Sequence, residues 1–379
     1  MSGSGRHGRR AFLTGGLVGG AAGIVGASAA GVFGRERAAA GAPGVVTGQQ
    51  VRWRLASSFP QSLDTLHGAG VMLAERVAAL TGGAFRIEVF QAGELVPALQ
   101  ELDAVQKGSV EVGQTASYYY RGKAPALAFD SAVPFGLNAR QQAAWQYEGG
   151  GIDAIGRIYD DFGIVHFPAG NTGCQMGGWF KRPIRSVGDL EGLKMRIPGL
   201  GGAVMDRLGV AVQNLAGGEV YTALERGALD ATEWVGPYDD EKLGFYREAK
   251  VYHYPGWWEP GPSMVFLVNR RAWDALPLTY QEAFRAASEQ AGQAMTRRYD
   301  ALNPPALKRL LERGIQLEAF PDDVMRAARD AAESVLEDEA RSDGGYAKLL
   351  ADWRKFRAPA FDWFGTAELG YARFAFAPR

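Results

Sequence analysis

From residue 51 the chain switches between two hydrophobic periods. Val51 to Ser57 alternates apolar and polar side chains, the two-residue period of a strand with one buried face. Ser62 to Leu80 repeats apolar positions at helical spacing and stops at Gly82-Gly83, which suits a helix C-cap. Phe85, Ile87 and Val89 return to strand period, Pro97 to Lys107 reads as a helix halted by Gly108, and Val110 to Thr115 as a short strand. This β-α-β-α-β order predicts a mostly parallel sheet covered by helices. A second unit follows. Ile164 to Ala169, Cys174 to Phe180 and Lys194 to Ile197 read as strands, Gly201 to Leu208 as a helix and Val210 to Asn214 as extended. Val220 to Glu225 is a helix stopped at Gly227, and Leu229 to Trp234 a strand. Val105 to Val112 and Leu224 to Ala231 share one grammar: helix end, cation, glycine, short strand. The cation suits the negative end of the helix dipole. The echo predicts two similar lobes facing one cleft. After Pro260-Gly261-Pro262 comes an apolar strand, Ser263 to Asn269. Thr279 with Glu282 offers a capping box for a long helix to about Leu302, which Asn303-Pro304-Pro305 should break or kink. Residues 321–341 and 345–357 read as further helices.

The segment ahead of residue 51 has another pattern. Arg9-Arg10 is followed by Phe12 and Leu13, and residues 11–34 carry no charge. Residues 1–40 therefore read as a twin-arginine-type signal peptide, with small-residue cleavage sites at Ala27-Ser28-Ala29 or Ala38-Ala39-Ala40. Residues 41–50 read as a linker. The stretch is long enough to be an uncleaved anchor, but it is glycine-rich, poor in leucine and weakly hydrophobic. The whole chain of 379 residues has a formal net charge of −1. The first 40 residues hold five Arg and one Glu, so the remainder is at −5. That leaves no basic field for nucleic acid. The single cysteine, Cys174, excludes an internal disulfide and reads as a buried packing residue. His67, His166 and His253 have no His or Cys at metal-ligand spacing, so zinc is not expected. Gly199 to Val204 begins like a dinucleotide loop, but Val204 stands where the last glycine is needed.

Several longer stretches are similar to one family. They are Tyr118 to Lys123, Ala132 to Leu137, Gly170 to Phe180, Leu193 to Gly199, Ala231 to Asp240 and Tyr254 to Gly261. In this order, over about residues 50–350, the chain resembles the solute-binding proteins of TRAP transporters (tripartite ATP-independent periplasmic transporters, DctP type). It looks closest to their branch that binds 2-oxo or 2-hydroxy monocarboxylates. The resemblance implies an α/β, two-lobed, periplasmic-binding-protein-like fold with a ligand cleft between the lobes and a long C-terminal helix. On this plan lobe I is 51–170 plus about 263–300, lobe II is 171–262 plus about 305–345, and 346–379 is a C-terminal helical extension. The implied function is capture of a small 2-oxo or 2-hydroxy acid, such as pyruvate or lactate, for a membrane permease. Arg196 takes the place of the carboxylate-clamping arginine. Gln175 and Glu233 fall where the metal-binding side chains lie, with the Trp234 carbonyl as a further ligand. One tyrosine of the 118–120 run should reach the substrate, with Tyr119 favoured. The resemblance also implies a possible homodimer made by exchanging a long helix, for which 279–302 is suited.

The residues support that chemistry. A small carboxylate loses hydration in a cleft and must be paired. The planar fork of an arginine can give it two parallel hydrogen bonds. Arg196 ends a predicted strand, where ligands of open α/β sheets bind. An all-oxygen donor set selects Na⁺, Ca²⁺ or Mg²⁺ over zinc or copper, and Na⁺ is favoured over Ca²⁺. Trp179, Trp234, Trp257 and Trp258 either wall the cleft or fill the core. Two other readings compete. An enzyme on the same frame would need a general base, for which Glu233 is the one candidate. An exported sensory domain would bind the same ligand.

Overall fold

The computed structural model describes residues 48–377. The export segment expected at 1–40 and most of the linker lie outside the described residues. Two sheets organise the rest. The first has five strands in the order β2-β1-β3-β10-β4: β1 Val51–Ser57, β2 Phe85–Phe90, β3 Val112–Thr115, β4 Ile164–Asn171 and β10 Ser263–Asn269. The second has six, β11-β9-β5-β8-β6-β7: β5 Trp179–Phe180, β6 Lys194–Arg196, β7 Ala211–Gln213, β8 Ala231–Thr232, β9 Val251–Tyr254 and β11 Gln316–Ala319. The fold is two-lobed α/β, one sheet to each half.

The expectation of mostly parallel sheets holds only in part. β1 is parallel to β2 and β3, but β10 runs antiparallel to both β3 and β4. In the second sheet β5 is antiparallel to both neighbours. Each sheet thus receives one strand from the opposite direction, where the chain crosses from one half to the other. The echoed grammar has a structural counterpart. The Glu101–Gln106 helix ends at Gly108 with φ 72°, and the Gly217–Glu225 helix ends at Gly227 with φ 74°. Both then feed an inner strand, β3 or β8.

Five local expectations need correction. The helix expected from Pro97 starts only at Glu101, because Leu99 is left-handed at φ 72°. The strand expected over Cys174 to Phe180 is confined to Trp179–Phe180. Upstream, the amides of Gln175, Met176 and Gly177 bond to the carbonyls of Glu259, Val235 and His253, which are loop or strand-edge partners and not a continuous ladder. Cys174 therefore sits on an irregular segment and is exposed, not packed inside. The capping box at Thr279 does not form: the long helix starts at Leu278 behind Pro277 without a side-chain cap. That helix also runs through Pro304 and Pro305 to Glu312. Packing supplies what the prolines remove. The helix buries Tyr280, Phe284, Tyr299 and Leu310 against its own chain, and the Asn303 side chain accepts from the Tyr238 amide at 3.0 Å.

Candidate ligand-binding site

β6 ends at Arg196, and β8 ends one residue before Glu233. They pair in parallel, Arg196 opposite Thr232, so the two side chains leave the sheet at the same edge. Pro198 opens the next helix, and Gly199 at φ 65° turns the backbone where a Cβ would stand 3.0 Å from Tyr118. Only glycine tolerates both constraints without strain. Gly217 does similar work on the other side. A Cβ there would meet the Trp234 ring at 2.5 Å, so its absence lets the indole lie flat beside Arg196, whose guanidinium sits 4.9 Å from the ring centre.

The guanidinium is 1% exposed, as is Glu233. Nη1 of Arg196 donates to the Glu233 carboxylate, Nε to the Leu215 carbonyl at 3.1 Å, and Nη2 to the Tyr119 hydroxyl at 3.4 Å. Tyr119 reaches across from the first half, on the short helical turn Ser117–Tyr120 that follows β3. Tyr118 of the same turn also lines the cavity. Tyr120 points elsewhere, bonding Glu101 and Thr115. The cavity is lined by Phe59, Leu66, Tyr118, Tyr119 and Met264 of the first half and Gln175, Arg196, Trp234 and Val235 of the second. Its volume is about 10 Å³. That is roughly the room one water needs.

Sequence reasoning missed one member of the cluster. Glu259, 4% exposed, lies in the loop before β10, and its carbonyl accepts the Gln175 amide at 3.3 Å. Its side chain faces Tyr118 and Gln175. Burial, and then the nearby negative charge of Glu233, push its carboxyl well above the usual range. Burial likewise raises Glu233 to about 7, against the pull of Arg196. Three buried atoms here lack a hydrogen-bond partner: Oε1 of Gln175, Oε2 of Glu259 and Nε1 of Trp234. Such orphaned groups are costly unless something supplies the missing bonds. The motif Trp257-Trp258-Glu259-Pro260-Gly261 contains the only acid of its loop, which was the available signal. The other tryptophans are core: Trp179 stacks on Tyr252, Trp257 on Phe135, and Trp258 packs edge-on to Phe320.

The donor set fits a hard cation. Gln175 offers a free amide oxygen and Glu259 a free carboxylate oxygen, both buried, and oxygen donors are what Na⁺ and Ca²⁺ take. Among the described residues no group of three or more His, Cys, Asp or Glu side chains could hold an ion. An ion at this place would therefore have at most two protein carboxylates and would draw the rest of its shell from neutral oxygens and the ligand itself.

A cation fork buried between two halves, with two unpaired oxygens in the same cluster, is suited to grip a small anion and release it, the work of a solute-binding protein. Residues 56–343 match the family described as bacterial extracellular solute-binding protein, family 7, and the chain belongs to that family. It is 56% identical over 325 residues to the monocarboxylate 2-oxoacid-binding periplasmic protein of Nostoc sp. PCC 7120, covering 86% of this chain and 89% of that one. Among solved structures it is similar to a TRAP transporter solute-binding protein from Bordetella bronchiseptica RB50, with 44% identity, TM-score 0.86 and coverage of 87% and 98%. That protein has calcium and picolinate in its active site. A TRAP periplasmic solute-binding protein from Pseudoalteromonas atlantica T6c, with bound sodium and pyruvate, shares 38% identity at TM-score 0.84, covering 86% and 99%. The chain is accordingly a TRAP-type solute-binding protein and not an enzyme.

Proposed function

We propose that this protein captures a small 2-oxo or 2-hydroxy monocarboxylate, such as pyruvate or lactate, together with a metal cation, and hands it to the membrane subunits of a TRAP permease. The observation that carries the reading is the buried Arg196 fork beside the orphaned oxygens of Gln175 and Glu259. Arg196 binds the acid's carboxylate, and the Tyr119 hydroxyl adds a hydrogen bond. Gln175, Glu233 and the Trp234 carbonyl hold the cation, with Glu259 beside them. The cation, when bound, supplies the positive charge that lets several carboxylates share one buried space. Glu259 changes the charge balance. With Glu233, Glu259 and the acid ionised against Arg196 alone, Ca²⁺ makes the cluster neutral and Na⁺ leaves it negative. The expectation of Na⁺ counted one protein carboxylate; two shift the balance towards Ca²⁺. The similar proteins named above support either ion.

The test is thermal stability with pyruvate, lactate or a C4 dicarboxylate, each with Na⁺, Ca²⁺ or chelator. Pyruvate or lactate with a cation should raise the midpoint by several degrees, as a tight ligand does. The dicarboxylate should not, because Arg196 is the single cation lining the cavity and a second carboxylate would be buried unpaired. An equal shift in Arg196→Ala would overturn the reading.

The same reading includes export by the twin-arginine route and the lobe boundaries given above. It also includes a homodimer formed by helix exchange. The exchanged element we favour is not 279–302, whose apolar face is buried in its own chain, but the end of the chain beyond Trp353: the last part of the Gly344–Thr366 helix, the Glu368–Ala375 helix and Phe376. Trp363, Tyr371, Phe374 and Phe376 there are 64–89% exposed. A groove of about 670 Å³ between the Ala139–Tyr147 and Leu278–Glu312 helices offers a second copy a seat. Deleting residues 366–379 should convert a dimer to a monomer in light scattering.

A further inference from the structure

The cavity divides its labour between the two halves. The second half brings most of the polar groups suited to an acid head, Arg196, Gln175 and Trp234, with the Tyr119 hydroxyl added from the first half. The first half brings most of the apolar wall: Phe59 just after β1, Leu66 opening the Leu66–Leu80 helix, and Met264 on β10. All three are buried, at 2%, 1% and 2% exposed. Met264 faces the cavity by the ordinary alternation of a strand, since β10 carries no extra residue: the register shift beside it leaves Ala169 of β4 unpaired. One residue back, Ser263 looks the other way, lining the outer groove near Gln146. Val265 belongs to a separate packing cluster from Met264.

We propose that Met264, with Phe59 and Leu66 as fixed flanks, is the gauge that sets how long an acyl tail the site accepts. The inference rests on the proposed function, in that it takes the acid head to lie at Arg196. A head held there by the second half leaves the tail against the wall supplied by the first. The cavity holds about 10 Å³, so any acid must displace side-chain atoms, and each carbon added to the tail must displace more. Phe59 is a rigid ring, and Leu66 is anchored at a helix start. Met264 is unbranched, with three side-chain rotors, and yields most easily. It therefore decides which tail is tolerated, and its volume should trade directly against tail length.

The test is calorimetric titration of the mature protein with pyruvate and with 4-methyl-2-oxopentanoate, in a buffer holding both Na⁺ and Ca²⁺. The readout is the ratio of the two dissociation constants. In Met264→Ala the ratio should move about tenfold towards the longer acid, the scale of one or more methylenes in an apolar pocket. In Met264→Phe it should move the opposite way. Leu66→Ala gives a second probe of the same wall should Met264→Ala fold poorly, and it should shift the ratio in the same direction. Met205→Ala is the control for general loosening. Met205 is 1% exposed in the Gly199–Arg207 helix and does not line the cavity, so its ratio should match the parent. A ratio unchanged in Met264→Ala and Leu66→Ala, with pyruvate still bound, overturns the gauge and leaves the proposed function standing. Pyruvate bound as well by Arg196→Ala overturns the proposed function instead.

Discussion

Asp240 and Glu259 are both buried carboxylates of the second half, 1% and 4% exposed, and burial raises the pKa of each. Their surroundings differ. Asp240 is saturated: Oδ2 accepts from the Trp179 indole at 2.9 Å and the Tyr252 hydroxyl at 2.6 Å. Oδ1 accepts from the Val235 and Gly236 amides at 3.3 and 3.2 Å. Those bonds hold its pKa to about 6. Glu259 has an oxygen with no partner, a second carboxylate close by, and Gln175 beside it with a free oxygen of its own. A completed polar network fixes structure; an incomplete one of equal burial leaves bonds for a ligand to make. Val235 ties the two together, its amide donating to Asp240 and its carbonyl accepting from Met176 next to Gln175, so the complete cluster acts as the foundation under the incomplete one.

The contrast can be broken at either end. The largest effect belongs to Arg196→Ala. It should weaken the binding of pyruvate by about 30-fold or more in calorimetry, since truncating one partner of a buried charge pair costs about 2–5 kcal/mol. Next comes Asp240→Asn. Losing charge-assisted bonds to Trp179 and Tyr252 should cost about 2–3 kcal/mol of folding free energy, read from urea midpoints. Affinity for pyruvate should stay nearly unchanged in the folded fraction. Gln175→Ala should do the reverse, leaving the urea midpoint within about 1 kcal/mol of the parent while weakening binding about tenfold. The smallest effect is on pH dependence. The carboxyl of Glu259 is raised in the folded protein, so its contribution to stability is present below its usual value of 4.5 and is lost as pH rises through the folded value. In chelator, Glu259→Gln should flatten the fall in urea midpoint that begins as pH rises above the usual carboxylate range.

Much of this arrangement is legible in the sequence, for reasons that differ by residue. Period and glycine punctuation disclose β1, β2, β10 and the helix ends at Gly108 and Gly227, because those features are local. Arg196, Gln175 and Glu233 stand in motifs long enough to be matched in register, and the structure brings them into one cluster together with Tyr119. Glu259 was overlooked because its loop has no period and its burial depends on Gln175 and Tyr118, which are distant in sequence. β9 and β11 were missed for a similar reason: each is short, and their parallel pairing joins segments more than sixty residues apart. The run at Cys174 looks like a strand locally, but its amides bond to three separate segments, a pattern set by tertiary contacts. The uninterrupted helix through Pro304 and Pro305 shows tertiary packing overriding a strong local rule.

On the proposed function, acid and cation complete one buried cluster together. Titrating pyruvate into metal-stripped protein, then repeating with Ca²⁺ and with Na⁺, isolates that coupling. Affinity should rise at least about tenfold when a cation is present, on the scale of losing or gaining one metal-shell partner. Equal affinity with and without any cation would contradict it.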